Sequence, residues 1–404
     1  MTDTSKAKYG ESIGADGPPP SLEQQLLAAA AAGDADEVAR LIELEADVDY
    51  QDEDGVSPLM KAAEGGHIVV LSALLQSGAP WNAQDKHGYC AGEYAMGSGH
   101  QEAVDLLLDF AVQVELVLGA LERYICDMIY MYAAPNSGYL TQKLVYRGEQ
   151  LLDADGEAVM MGWERPLMVR HAERDGGGGG GRVLNVGFGL GIVDTEIQSH
   201  KPERHTIVEA HPDVYEHMVR KGWAERPGVR ILKGRWQDVL PELLAEAPYD
   251  GIFFDTYGEY YEEMRDFHIH LPRLLARDGV YSFFNGLASD NIFFHMVYCR
   301  LISLELASKG LTVEYEPLAV GSLGDEVWQG VRSKYWHFET YFLPRVTRVD
   351  PLDAVEEEGD EGGEGRPCVE EAGGVTAAAD ETMAAGGRGE AGVAALAPDD
   401  QLQQ

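Results

Sequence analysis

The chain has 404 residues, 45% of them apolar, and carries a formal net charge of −38. This length allows two domains with terminal tails, and so acidic a surface repels phosphate backbones, which argues against nucleic acid as a partner. No stretch approaches the roughly 20 consecutive apolar residues that cross a bilayer, and the four scattered cysteines lack metal-ligand spacing, so neither a membrane segment nor a metal site is expected.

The N-terminal part of the chain contains a repeat. Residues 1–20 end in Gly-Pro-Pro-Pro and are predicted to be disordered. Within residues 21–111, glycine and leucine recur every 33 positions, at Gly33, Gly66 and Gly99 and at Leu41, Leu74 and Leu107. A period of about 33 residues with two short helices per unit is typical of ankyrin repeats, and DGVSPLMKAAEGGHIVVLSALLQSGA resembles one closely. We therefore expect an all-α ankyrin-repeat module, which either caps the next domain passively or docks a protein substrate.

A connecting helix and an α/β domain are predicted next. Residues 112–134 are apolar-rich and should form the helix, after which residues 135–349 alternate strand and helix patterns. The strand patterns are RVLNVGFGL, RHTIVEAH, VRILKG, YDGIFFDTY, GVYSFFN, LTVEYEPLAV and KYWHFETYFLPRV, with helices over Tyr261–Leu275 and Asn291–Lys309. This alternation predicts a Rossmann-like fold with a seven-stranded, mostly parallel sheet. Ligands of such sheets bind beyond the carboxyl ends of the strands.

A glycine-rich turn and a carboxylate follow the first two of these strands. Gly187, Gly189 and Gly191 form a GxGxG pattern, and Ile192 stands where the dinucleotide fingerprint needs another glycine. The pattern resembles the turn that binds S-adenosyl-L-methionine. Glu209 ends the second strand, where a carboxylate can accept hydrogen bonds from both ribose hydroxyls.

Several longer motifs resemble one enzyme family. WERPLM, LNVGFGLGIV, VEAH, GRWQDV and FFDTYGEYYEEM look like guanidinoacetate methyltransferase and, more closely, its fungal relatives, the type IV protein arginine methyltransferases, which modify the δ nitrogen and carry ankyrin-like repeats. The resemblance implies a class I methyltransferase domain with S-adenosyl-L-methionine as the methyl donor. It implies donor contacts at Tyr139, Met168, Phe188, Gly189, Leu190, Gly191, Ile192, Val193, Glu209, Ala210, His211, Trp236, Gln237 and Asp255. Asn185 departs from the acidic residue common before the glycines, so we leave it outside the predicted site.

The resemblance also implies that Glu164 and Asp255 face a guanidine substrate. A guanidinium is a poor nucleophile because its lone pairs are delocalised and its pKa lies above about 12. Two carboxylates can bind its planar fork, draw positive charge onto the nitrogens they touch, and leave the third nitrogen to attack. Tyr257, Glu259 and Tyr260 follow Asp255 and are candidates for the pocket mouth.

The sequence thus predicts an enzyme that monomethylates the δ (N5) nitrogen of arginine in a protein. The resemblance points to a large-subunit ribosomal protein as the substrate, and to the cytoplasm and nucleus as the location. One alternative is a small-molecule guanidine methyltransferase; another is an inactive scaffold, against which the glycine turn, Glu209 and Asp255 argue. The oligomeric state is left open. Residues 350–404 hold 15 acidic residues against two arginines and should form a disordered acidic tail.

Overall fold

The computed structural model describes residues 19–129, 137–175, 180–257 and 261–349. Residues 1–18 and 350–404 lie outside the described residues. The disorder predicted for residues 1–20 and 350–404 therefore falls outside them, except at residues 19 and 20. Within the described ranges, no helix is both long and apolar enough to span a membrane.

The N-terminal module consists of paired helices. They are α1 Leu22–Ala32, α2 Ala35–Glu43, α3 Pro58–Glu64, α4 Ile68–Gln76, α5 Ala91–Gly97 and α6 Gln101–Ile129. Ser21 and Ser57 cap α1 and α3 by accepting a backbone N–H through their side chains, which satisfies a donor that the helix cannot. The predicted all-α repeat module is confirmed.

Packing between repeats explains the 33-residue spacing of glycine. Gly33 and Gly66 have positive φ angles of 71° and 66°. A Cβ at Gly33 would lie 2.6 Å from the His67 ring, and one at Gly66 would lie 2.7 Å from the His100 ring. Glycine is therefore required at these two positions because the histidine of the next repeat packs directly on each of them, whereas Gly99 has a φ of 75° and no such contact.

The last repeat helix is also the predicted connector. Helix α6 runs without interruption for 29 residues, so the predicted boundary between residues 111 and 112 falls inside one helix. Residues 130–136, into which the predicted connecting helix extends, lie outside the described residues.

A small antiparallel sheet opens the second domain, and the sequence analysis did not anticipate it. After α7 (Ser137–Thr141), the strands β1 (Val145–Arg147), β2 (Gln150–Leu152) and β3 (Ala158–Met161) pair in that order. One turn of 3₁₀ helix, Gly162–Glu164, then leads into α8 (Arg165–Asp175).

The main sheet has seven strands, as predicted. These are β4 Arg182–Val186, β5 Arg204–Glu209, β6 Val229–Lys233, β7 Tyr249–Phe254, β8 Leu275–Phe283, β9 Leu311–Ala319 and β10 Thr340–Arg348. Their spatial order is β6-β5-β4-β7-β8-β10-β9, and β10 alone runs against its neighbours. Consecutive residues Val183 and Leu184 enter different hydrophobic cores, so both faces of the sheet are covered. The predicted Rossmann-like fold with a seven-stranded, mostly parallel sheet is confirmed.

The helices of this domain differ in part from the predicted ones. They are α9 Ile192–Ser199, α10 Pro212–Arg220, α11 Trp236–Glu246, α12 Tyr261–His268, α13 Leu271–Leu274 and α14 Ile292–Ala307, with a 3₁₀ turn at Trp223–Glu225. The helix predicted over Tyr261–Leu275 is two helices, since Pro272 has no N–H to donate to a preceding turn. The strand predicted from residue 334 begins at Thr340 instead, and residues 334–339 form a loop.

The repeats and the α/β domain share a hydrophobic core. Phe293 and Val297 of α14 are buried with the repeat residues, and a Cβ at Gly92 would lie 2.1 Å from the Phe293 ring. Asn291 caps α14 by accepting the Phe294 N–H, while its amide donates to Glu93 of α5 at 2.6 Å. The last repeat is therefore packed against the α/β domain.

Phe293→Ala should lower the free energy of unfolding by about 3–5 kcal/mol, because it leaves a cavity in this shared core. We expect the repeats and the α/β domain to lose stability together, in one urea transition followed by circular dichroism and tryptophan fluorescence. Val69→Ala, at a side chain that is 69% exposed, is the control and should change little. A transition in which only one domain shifts would contradict the shared core.

Candidate active site

A cavity of about 320 Å³ lies at the carboxyl ends of the parallel strands. Its wall includes the turn after β4, the end of β5, the segment after β6 and the segment after β7. Residues from α7, β3 and the loop before β10 close the other side. The cavity thus occupies the edge at which ligands of parallel α/β sheets bind.

Close packing requires glycine at two positions of the turn after β4. Gly187 has a φ of 99°, and a Cβ there would lie 1.9 Å from the carbonyl oxygen of Asp255. Gly191 has a φ of 69° at the N-terminus of α9, and a Cβ there would lie 2.3 Å from the Phe188 ring. The Leu190 N–H donates to the sulfur of Met160, a residue of the cavity wall, at 3.2 Å. Only glycine at positions 187 and 191 lets this turn reach the cavity.

The Glu209 carboxylate is held between this turn and the next helix. One of its oxygens accepts the Phe188 N–H at 3.0 Å, and the other accepts the His211 N–H at 2.6 Å. Burial raises the pKa of Glu209 to about 7 despite these hydrogen bonds. Each carboxylate oxygen can accept more than one hydrogen bond, so Glu209 can still accept from a ligand in the cavity.

An aromatic side chain forms the wall beyond β6. Trp236 begins α11, lines the cavity and packs edge-on against Phe267. Its indole N–H is buried and has no hydrogen-bond partner among the described residues. This end of the cavity therefore offers an apolar ring surface and an unsatisfied donor.

Glu164 enters the cavity from the opposite side. It lies in the 3₁₀ turn after β3, and only 3% of its surface is exposed. Its Oε1 atom accepts the Met161 N–H at 2.9 Å and also the Tyr335 hydroxyl. Burial, and next the charge of Asp255, raise the pKa of Glu164 to about 8.

Asp255 follows β7, and its backbone N–H donates to the Val186 carbonyl at 2.9 Å. Its carboxylate is partly buried and has no hydrogen bond from the described residues. Burial, and next the charge of Asp194, raise the pKa of Asp255 to about 7. Neither Asp255 nor Glu164 forms an ion pair within the described part of the chain. Two carboxyl groups that have no ion-pair partner among the described residues thus face one cavity, which suits a cationic ligand.

Comparison with known proteins identifies the family. A family model described as guanidinoacetate N-methyltransferase matches residues 144–303, and an ankyrin-repeat model of three copies matches residues 26–116. Protein arginine N-methyltransferase 2 of Aspergillus oryzae is 36% identical over 332 residues, which cover 72% of this chain and 80% of that protein. Its namesake in Cryptococcus neoformans is 39% identical over 327 residues, covering 73% and 86%. That of Yarrowia lipolytica is 43% identical over 227 residues, covering 53% and 48%. This chain belongs to the protein arginine N-methyltransferase 2 family.

Membership in this family makes the chain a methyltransferase, and the resemblance predicted from its motifs is confirmed. Two groups of wall residues differ in their chemistry. We call the part of the cavity lined by the glycine turn, Glu209 and Trp236 the glycine-turn end, and the part lined by Glu164 and Asp255 the acidic end.

The structure places about half of the predicted site residues on the cavity wall. Those on the wall are Tyr139, Glu164, Phe188, Gly189, Glu209, Ala210, Trp236 and Asp255, together with Tyr257. Three predicted residues are buried in the hydrophobic core instead: Met168, Ile192 and Val193. Four others are close to wall residues in the chain but do not line the cavity themselves: Leu190, Gly191, His211 and Gln237. Glu259 and Tyr260 lie outside the described residues. Which of these residues touch a ligand remains a prediction.

His211 does not line the cavity itself but contacts Tyr139, which does. The two rings lie 4.9 Å apart, and a ring nitrogen of His211 is 3.2 Å from the Tyr139 carbonyl oxygen. Tyr139 also contacts the Tyr257 ring at 4.9 Å. These contacts hold α7, which carries Tyr139, against the segments that follow β5 and β7.

Sequence reasoning missed other residues of the wall. Met160, Arg235, Phe284 and Tyr335 line the cavity but were not singled out. Tyr335 is separated from its partner Glu164 by 171 positions, and it stands in a segment whose residue pattern predicted a strand. No local pattern joins two such distant positions.

Proposed function

We propose that this enzyme transfers a methyl group from S-adenosyl-L-methionine to the δ nitrogen of an arginine in a protein substrate. The observation that carries the proposal is the pair Glu164 and Asp255, two carboxyl groups that lie in one cavity beside the glycine turn and form no ion pair with any described residue. The name of the relatives, protein arginine N-methyltransferase 2, supports arginine as the acceptor.

The residues at the glycine-turn end fit the donor. Glu209 has oxygens available to ribose hydroxyls, the turn offers close backbone approach, and Trp236 provides an aromatic wall with an unsatisfied N–H for the adenine. When bound, S-adenosyl-L-methionine supplies an electrophilic methyl group on a positively charged sulfur.

At the other end, Glu164 and Asp255 would bind and orient the guanidinium. Their carboxylates can each bind N–H groups of the planar fork, which holds the remaining nitrogen toward the donor. The pKa values of about 8 and 7 mean that both groups are partly protonated near neutral pH in the free enzyme. A bound guanidinium favours their ionised forms, so binding releases protons and strengthens as pH rises through this range. A carboxylate with a pKa near the working pH can also accept the proton that the methylated nitrogen loses.

The wider context is part of the same proposal. A chain with a net charge of −38 attracts basic proteins, and this supports a large-subunit ribosomal protein as the substrate. Together with the family resemblance, this leads us to propose that the enzyme acts in the cytoplasm and nucleus.

Mass analysis tests the substrate. Extract from cells lacking the enzyme should, after incubation with enzyme and donor, contain one protein that has gained one methyl group, and ribosomal fractions should contain it. The match of residues 144–303 to a guanidinoacetate N-methyltransferase model favours a second candidate, a small guanidine acceptor. Methylation of guanidinoacetate with no protein modified would replace the first proposal with the second.

Glu209→Ala tests the donor end. We expect the dissociation constant for S-adenosyl-L-methionine to rise about 10–100-fold, since charge-assisted hydrogen bonds to the ribose are lost. Isothermal titration calorimetry measures this change. Glu216→Ala, at an exposed position on the neighbouring helix α10, is the control. Unchanged affinity in a folded Glu209→Ala protein would remove Glu209 from the donor site.

A further inference from the structure

Tyr335 contacts the acidic end of the cavity through a chain of hydrogen bonds. Its hydroxyl donates to Oε1 of Glu164, and the indole N–H of Trp163 donates to the Tyr335 oxygen at 2.9 Å. The loop that carries Tyr335 is held by Ser289, which donates to the Tyr335 carbonyl and accepts the His337 N–H at 3.1 Å. Tyr335 itself lines the cavity.

The donor and acceptor roles in this chain are fixed when Glu164 is ionised. An indole N–H can only donate, so the Tyr335 oxygen accepts from Trp163, and an ionised carboxylate can only accept, so the Tyr335 proton is directed to Glu164. The Met161 N–H donates to the same Oε1 atom at 2.9 Å. Oε1 therefore has two donors, whereas no described residue donates to Oε2.

We propose that Tyr335 is a positioning residue for methyl transfer, which holds Glu164 so that Oε2 faces the guanidinium and which stabilises the negative charge of this carboxylate. The role rests on the proposed function, because it acts through the substrate-binding role of Glu164. Tyr335 supplies the side-chain donor in a place where a negative charge is otherwise disfavoured.

The electrostatic surroundings agree with this geometry. Burial and the charge of Asp255 raise the pKa of Glu164, while the hydrogen bonds from Tyr335 and Met161 lower it. The titratable groups that interact with Glu164 are Asp255, Tyr335 and Tyr341. Without the Tyr335 hydroxyl, Asp255 and Tyr341 would remain, and neither of them donates a hydrogen bond to Glu164 among the described contacts.

Tyr335→Phe tests the proposal by removing only the hydroxyl. We expect the Glu164 carboxyl, followed by NMR in protein labelled with [¹³Cδ]glutamate and assigned with Glu164→Gln, to titrate about one pH unit higher. Radiolabelled methyl transfer to total ribosomal protein should fall about 10-fold or more in kcat/KM at pH 7, with its rising limb moved to higher pH. Trp163→Phe, which leaves the phenol but frees its rotation, should move the titration less and in the same direction.

Tyr315→Phe is the matched control. The Tyr315 hydroxyl also donates a partly buried hydrogen bond, to the Cys299 carbonyl at 3.1 Å, but Tyr315 does not line the cavity. This variant should lose comparable stability and keep the Glu164 titration and pH profile of the unaltered enzyme. In a Glu164→Gln background, Tyr335→Phe should change kcat/KM by less than about twofold, because the two residues act together.

An unchanged Glu164 titration in folded Tyr335→Phe protein would overturn the role of Tyr335. The NMR titration needs no methyl acceptor, so this result is independent of the substrate. A normal kcat/KM in Glu164→Gln would instead refute the carboxylate pair of the proposed function. The two failures are therefore distinguishable.

Discussion

Glu164→Gln should lower kcat/KM for the arginine substrate by about 10²–10⁴-fold, the range for losing an oriented electrostatic or acid–base group. The substitution keeps the shape of the side chain and removes its charge. Two positive groups, the guanidinium and the donor sulfonium, would then meet in a cavity with one negative charge fewer. Donor affinity should change little, since Glu164 lies in the 3₁₀ turn after β3, whereas Glu209 ends β5 and Trp236 begins α11 after β6.

Radiolabelled methyl transfer measures the first effect, and calorimetric titration with S-adenosyl-L-methionine measures the second. Glu173→Gln is a suitable control, because Glu173 pairs with Arg170 on the exposed side of α8. Near-normal turnover in Glu164→Gln would show that this carboxyl does not hold the substrate, whatever its place in the cavity.

Gly187→Ala should abolish measurable donor binding, with a loss of at least about 100-fold in affinity, and should destabilise the domain. A Cβ at this position would collide with the Asp255 carbonyl at 1.9 Å, and the neighbouring backbone must move to relieve the clash. The φ of 99° adds a conformational cost of about 1–3 kcal/mol for alanine. Both the turn and Asp255 would shift, so the two ends of the cavity would be damaged together.

Gly78→Ala separates the two causes. Gly78 has a φ of 95°, and a Cβ there would meet nothing within 4 Å. This variant therefore carries the conformational cost without the collision, and it should bind the donor normally. Comparable donor binding by Gly187→Ala and Gly78→Ala would contradict the close contact between the turn and Asp255.

The parts of the fold that could be predicted from sequence have local causes. Glycines at a 33-residue spacing predicted the repeats, and two of them, Gly33 and Gly66, make the same contact with a histidine of the next repeat. Short apolar strands and the GxGxG turn predicted the parallel sheet and the position of the cavity. Glu209 and Asp255 lie on that cavity because Glu209 ends β5 and Asp255 follows β7. Glu164 reaches the cavity from the 3₁₀ turn after β3.

The unpredicted parts depend on contacts between distant segments. The loop before β10 brings Tyr335 to Glu164, and no spacing in the chain encodes that contact. The small sheet β1–β3 consists of strands of three or four residues, too short for a clear alternating pattern. The shared core between Phe293 and the repeats likewise joins segments about 200 positions apart.

The most direct test of the proposed activity is tandem mass spectrometry of the methylated residue, after reaction of the enzyme with isotopically labelled S-adenosyl-L-methionine and its protein substrate. The proposed geometry predicts one labelled methyl group on the internal δ nitrogen of arginine, and its loss in the Glu164→Gln enzyme. A methyl group on a terminal guanidine nitrogen, on another amino acid, or retained at normal levels in Glu164→Gln would contradict it.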